Sequence, residues 1–376
     1  MATDMILPTH FELNNGQKIP AVGLGTFQSE DDNSRVKEAV KTALKMGYRH
    51  IDGAHAYGNE KEIGEAIKES GIPREEIFVT SKLAQNWHEP GDVQRALELS
   101  LRHLQLDYVD LYLMHFPYAY KTGENNETVR HPSGNGKPVI NYDLSRRYPE
   151  TWQAMERLVD SGKTKAIGVC NFNILKTKRI LEVARIIPAV NQVELHPYLP
   201  QHELLDFSAK HGILIEAHQP LGGRPVSIVR GHPDQSPPTE DQTIAEVASS
   251  CGMSPAQVRT MPPFATYFNP RPFAEIFALA RATSCQSILT ALAQKVCLSW
   301  AVQKGIPVIP KSNQAAHMRS NMEVRMLPDE SFNLVDGLAA ARVGGSVRFL
   351  EPSLHVGFDI FDEENDQPIA DAAPWA

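Results

Sequence analysis

The sequence predicts a single (β/α)8 TIM barrel of the α/β class, and three observations carry that prediction. From residue 21 onward, short apolar β-branched runs alternate eight times with amphipathic stretches at helical spacing, the pattern of βα units around a parallel sheet. Ahead of them, FELNNGQKIP sets Asn15-Gly16 between two β-type segments, a hairpin placed to plug the N-terminal mouth of the barrel. The chain has 376 residues, 42% of them apolar and 22% charged, enough to bury one large core.

The elements follow in order. The first strand segment is 21–25, and the helix at 34–46 repeats apolar residues three and four apart. Strand 50–53 leads to helix 59–70, and strand 77–81 to helix 93–104. Strand 109–114 is followed by a long connection, 117–148, before helix 149–161. Strand 166–170 leads to helix 174–186, and strand 189–194 to helix 202–211. Strand 213–218 is followed by a second long connection, 219–240, and by an amphipathic helix at 241–250. The eighth strand is expected at 307–310, the barrel as a whole at 11–345 and a C-terminal tail at 346–376. Both long connections leave C-terminal strand ends, where barrels of this kind build their sites, so they read as mouth loops.

One stretch breaks the rhythm. Residues 258–295 carry Pro262, Pro263, Pro270 and Pro272 near their start, and deleting them joins Gln257 to Val296 as MSPAQVCLSWAVQKGIPVIPKS, a clean helix running into the last strand. The segment reads as foreign to the fold, either a retained intron or a surface insertion. In both cases residues 288–295 can replace the displaced turn at the start of that helix.

Composition narrows the function classes. No run approaches the ~18 apolar residues a membrane helix needs, and the start lacks the regions of a signal peptide, so a cytoplasmic protein is expected. The four cysteines, Cys170, Cys251, Cys285 and Cys297, show no CxxC spacing; they read as reduced thiols, and no metal is expected. A net charge of −8 without a basic stripe argues against nucleic acid or an anionic membrane as partner. A small-molecule enzyme, monomeric or weakly homo-oligomeric, remains.

Four polar groups stand at C-terminal strand ends or just beyond them: Asp52 and Tyr57 within GYRHIDGAHAYGNEKEIG, Lys82 in VTSKL, and His115 in DLYLMHFP. Singly, each has an ordinary reading as a helix cap, a loop aromatic, a surface ion pair or a core histidine. Together they converge on one mouth. An ammonium beside a phenol favours the phenolate, so Lys82 is expected to lower the Tyr57 pKa, with Asp52 holding Lys82. His115 can hydrogen-bond a carbonyl oxygen to which Tyr57 gives a proton. That equipment suits reduction of a carbonyl by a hydride from elsewhere.

On these residues the chain resembles the aldo-keto reductase family. GYRHIDGAHAYGNEKEIG is similar to the family's first signature, KAIGVCNF to its second, and IPKS at 309–312 begins its third. The resemblance implies an NADPH-dependent carbonyl reductase with Asp52, Tyr57, Lys82 and His115 as the catalytic four. Gly23-Leu-Gly25 lacks the third glycine of a dinucleotide fingerprint, which agrees with a cofactor lying across a barrel mouth. Carried over by position, Asn171 and Gln192 hold the nicotinamide carboxamide, Cys170 stands where serine is commoner, and His218 replaces the tyrosine that stacks on the ring.

Lys311, Ser312 and Asn313 match the pocket for the adenosine 2′-phosphate, but the family's arginine position is His317. Histidine lacks the planar fork that grips phosphate at two points, so a weakened NADPH preference is expected, with NADH as the alternative. Phe27, Trp87, His115 and Phe116 are the expected substrate walls, and Ala84, where many relatives carry tryptophan, implies a wider pocket. The implied substrates are a sugar or polyol-type carbonyl, or an intermediate of secondary metabolism. The competing reading is a non-catalytic nucleotide-binding barrel that senses redox state as a regulatory subunit.

Overall fold

The structure is a computed structural model that describes residues 6–28, 33–132, 136–223, 229, 231–251 and 285–362. Residues 258–284 of the anomalous segment and 363–376 of the tail lie outside the described residues.

Strands β1 (His10–Glu12) and β2 (Lys18–Pro20) pair antiparallel across a turn in which Gly16 takes φ +83°. Ile19 is fully buried against Phe78, Leu111, Ala166 and Val190 inside the strands that follow, so the hairpin seals the N-terminal end of the barrel as expected.

Seven strands form one parallel sheet in chain order: β3 (Leu24–Gly25), β4 (His50–Asp52), β5 (Phe78–Leu83), β6 (Val109–Met114), β7 (Thr164–Cys170), β8 (Val190–Glu194) and β9 (Leu214–His218). Residues 307–311 join its two edges. Gly23 N–H donates to the Val308 carbonyl (2.8 Å) on one side, and Ala217 N–H to the Pro307 carbonyl (2.8 Å) on the other. The expected eighth strand is therefore a set of bridges at Val308 and Lys311, because Pro307 and Pro310 have no N–H to give to a ladder.

Helices cover the outside. In α1 (Val36–Lys45), Val36, Ala39, Val40, Ala43 and Leu44 form the buried stripe. Helices α2 (Glu60–Ser70) and α3 (Val93–Leu104) meet closely at Gly64, where a Cβ would lie 2.1 Å from the Leu104 carbonyl oxygen. Asn173 caps the helix Ile174–Val183 through Lys176 N–H, and Asp241 caps Gln242–Ser250 through Thr243 and Ile244. The helix Cys285–Gln303 starts inside the anomalous segment and runs on without a break, burying Val296, Leu298 and Trp300.

The tail crosses the C-terminal end of the barrel. Glu194, the last residue of β8, accepts the Phe349 and Leu350 N–H groups (both 2.7 Å), and Val347 N–H reaches the Tyr198 carbonyl (2.8 Å). Val356 and Ile360 then pack on Tyr118 and Ile140 of the 117–148 connection. Among the described residues no helix is long and apolar enough to cross a membrane.

Candidate active site

Asp52 closes β4, and the paired strand β5 presents Lys82 near its end, so two adjacent C-terminal strand ends carry opposite charges. Lys82 Nζ donates to Asp52 Oδ1 (2.5 Å) and to the Gly53 carbonyl (3.0 Å) with its side chain wholly buried. Burial alone would lower the Lys82 pKa, but the Asp52 carboxylate outweighs it and holds the ammonium above its ordinary value.

Tyr57 closes the short turn His55–Tyr57, and its ring centre lies 5.2 Å from Lys82 Nζ. The ring meets His115 edge-on at 5.5 Å and Phe27 at 5.1 Å, while Phe116 stacks on His115 at 5.1 Å. The four groups thus converge as expected. The expected pKa direction for Tyr57 does not hold: burial raises it to about 12, against the lowering influence of Lys82. Desolvation of the phenolate exceeds the attraction of one ammonium already paired with Asp52. Burial and Lys82 both push the His115 pKa well below its ordinary value, so its imidazole is neutral.

Cys170, Asn171, Gln192 and His218 gather beside this cluster. Asn171 takes φ +63°, a conformation asparagine tolerates, and donates to the His115 carbonyl (3.0 Å) while its Oδ1 meets His218 Nε2 (2.9 Å). Its Nδ2 lies 3.2 Å from Cys170 Sγ. Burial drives His218 down to about 3 and raises the Cys170 thiol. Gln192 Nε2 donates to both Asp52 Oδ2 (2.8 Å) and Glu216 Oε2 (2.7 Å). Asp52 and Glu216 therefore fix this amide and leave its oxygen turned toward Cys170.

A cavity of about 550 Å³ opens at the seam, between α1 and the segment after residue 310. Lys311, Ser312, Asn313 and His317 line one wall, and Arg35, Ser34 and Thr42 the other. Burial and the charge of Arg35 lower the Lys311 pKa, which marks two cations facing one space. Ser312 Oγ accepts Gln314 N–H (3.1 Å) at the entry to the helix Ala315–Met322. The donor set of two cations, hydroxyls and a helix start fits a phosphate dianion.

Of the four expected walls, Trp87 makes its ring contacts apart from the other three. Trp87 is 6% exposed and packs edge-on against His55, with Arg95 over its ring, outside the Phe27–Tyr57–His115–Phe116 group. It braces the turn before Tyr57 from behind. Ala84 is buried in the same core cluster as Trp87. Sequence reading missed Arg35, which nothing local distinguishes from any helix-start cation. It also missed Glu216, whose signal was available: a lone carboxylate within the apolar run LIEAH.

The geometry agrees with what comparison finds. The model of the aldo/keto reductase family matches residues 21–340. Glycerol 2-dehydrogenase (NADP(+)) of Hypocrea jecorina is 35% identical over 364 residues, 94% of this chain and 98% of that one. Aldo-keto reductase family 1 member A1 of Xenopus tropicalis is 49% identical over 251 residues, 65% of this chain and 74% of that one. The solved aldose reductase of Schistosoma japonicum superposes with a TM-score of 0.68 at 30% identity, over 87% of this chain and 91% of that one. A plugged parallel barrel with a lysine, carboxylate, phenol and imidazole at its mouth, matched along most of its length, belongs to the aldo/keto reductase family of oxidoreductases.

Proposed function

We propose that the protein reduces an aldehyde or ketone to the alcohol with NADPH, and that Tyr57 is the proton donor. The observation that carries this reading is the buried Lys82 bridging Asp52 and Tyr57 beside a neutral His115. When bound, NADPH supplies a hydride to the carbonyl carbon. Tyr57 Oη keeps its proton in the resting site and gives it to the carbonyl oxygen as negative charge develops there. Lys82 then stabilises the phenolate left behind, and Asp52 keeps Lys82 charged and fixed. The His115 imidazole orients the carbonyl by a hydrogen bond, and the phenolate regains its proton from solvent.

Cys170, Asn171, Gln192 and His218 would hold the nicotinamide end, and Lys311, Ser312, Asn313 and His317 the adenosine phosphate. Arg35 supports the NADPH preference because it restores a guanidinium to the pocket whose usual position is His317. Similarity to a glycerol 2-dehydrogenase (NADP(+)) over 98% of that chain supports a sugar or polyol-type carbonyl as substrate class. The test is turnover of a simple aldehyde with NADPH by the full chain and by Tyr57→Phe. A loss on the order of 10²-fold or more is expected, and undiminished turnover in the variant refutes the role of Tyr57. NADPH binding without turnover across a carbonyl panel would mark the sensing barrel instead.

A further inference from the structure

Behind the turn that carries Tyr57, three side chains bring ligand atoms together: His55, Glu60 and His103, all within 4.8 Å of one another. They come from three elements. His55 opens the turn after β4, Glu60 begins α2, and His103 lies in the last turn of α3. The close approach at Gly64 brings the end of α3 against α2 and sets His103 beside Glu60.

His55 Nδ1 is hydrogen-bonded to Glu60 Oε2 at 3.3 Å, whereas His103 Nδ1 lies 3.6 Å from the same oxygen, too far for a good hydrogen bond. The two imidazoles are nearly parallel, 7° apart with centres 6.0 Å apart. The other carboxylate oxygen accepts Ser81 Oγ (2.6 Å), which aims Oε2 at the histidines. Trp87 meets the His55 ring edge-on and holds it.

From this convergence we infer that His55, Glu60 and His103 form a zinc-type divalent metal site outside the catalytic centre. Two imidazoles and a carboxylate are a zinc donor set that leaves a fourth position for water. Zinc bonds of roughly 2.0–2.2 Å place tetrahedral ligands about 3.3–3.6 Å apart, the separations seen to Glu60. The His103 side chain is 46% exposed, so it can swing to close the remaining gap and admits the ion from solvent. The sequence carries no metal motif because the ligands meet only in three dimensions.

The site touches the mechanism from behind. Tyr57 is two residues from His55 on one turn, and Ser81 precedes Lys82. Drawing the ligands onto an ion shifts the turn that aims the phenol, so zinc lowers turnover while the Arg35 and Lys311 cavity is untouched.

The experiment titrates the full chain with Zn²⁺ against a chromophoric chelator, alongside His103→Gln and His103→Asp. One equivalent is expected to bind, His103→Gln to weaken it about tenfold or more, and His103→Asp, which restores a carboxylate ligand, to retain it. No binding in competition, or equal affinity in His103→Gln, overturns the site. This arm is independent of the reaction proposed above. The second arm rests on it: Zn²⁺ lowers turnover of the unaltered chain more than that of His103→Gln. Equal inhibition of both overturns the coupling to Tyr57.

Discussion

Arg35 and Lys311 reach one cavity from opposite ends of the chain, and burial together with the charge of the guanidinium depresses the pKa of the lysine. A phosphate dianion relieves that repulsion. Arg35→Ala should therefore weaken NADPH binding about tenfold, since a hydrogen bond to a charged group is worth roughly 1.5–3 kcal/mol before screening at an exposed site. NADH affinity should stay within a factor of about two. Fluorescence titration with both nucleotides checks this, and parallel losses would remove Arg35 from the phosphate site.

The Asp52 and Lys82 pair should be more costly to break than to delete. Asp52→Ala leaves a wholly buried ammonium without its carboxylate, a change that typically costs ~3–5 kcal/mol. Asp52→Asn combined with Lys82→Met removes both charges and should recover much of that stability while remaining inactive. Denaturant melts of the two variants compare them directly, and equal stability would mean the pair is not held in the folded interior as described.

Glu216 gives the fold a dependence on pH. Burial and the nearby Asp52 carboxylate raise its pKa to about 8, whereas an unfolded glutamate titrates near ~4.3. Between those values the folded chain holds a proton that the unfolded chain has lost, so its contribution to stability falls as pH rises, by up to ~1.4 kcal/mol per unit. Glu216→Gln should flatten this slope and melt higher than the unaltered chain at pH 8. Coincident melting curves across pH 5 to 8 would show that Glu216 ionises as freely in the fold as outside it.

Glu194 anchors the tail by accepting two backbone N–H groups and His196 Nε2 (2.9 Å). Glu194→Gln replaces one accepting oxygen by a donor facing donors, at a cost of roughly 1–3 kcal/mol. Amide exchange at Phe349 and Leu350 should accelerate while the barrel strands keep their protection. Unchanged exchange at these two amides would mean the tail is held elsewhere.

The strands were readable because each is a short apolar run with turn signals on both sides, and the four mouth residues because each sits at or just past such a run. Local pattern failed where its effect depends on neighbours in space. Residues 307–310 are apolar enough for a strand, yet two prolines reduce them to bridges. Tyr57 does meet Lys82 and His115, but the sign of its pKa shift turns on how deeply the phenol is desolvated, which no spacing records. The contacts of Trp87 with His55 and Arg95 likewise depend on neighbours that its position after β5 does not record. Arg35, Glu194 and His103 each acquire a role only from a partner distant in the chain.

The sparse seam at residues 307–311 has a consequence for survival of the chain in the cell. Opening it separates Lys311 from Arg35, so a nucleotide gripped by both binds the closed barrel alone. At a hundred times its dissociation constant such a ligand makes opening about a hundredfold rarer, ~2.7 kcal/mol. A chain loaded with such a ligand would then expose the seam to a protease about a hundredfold less often than an empty one.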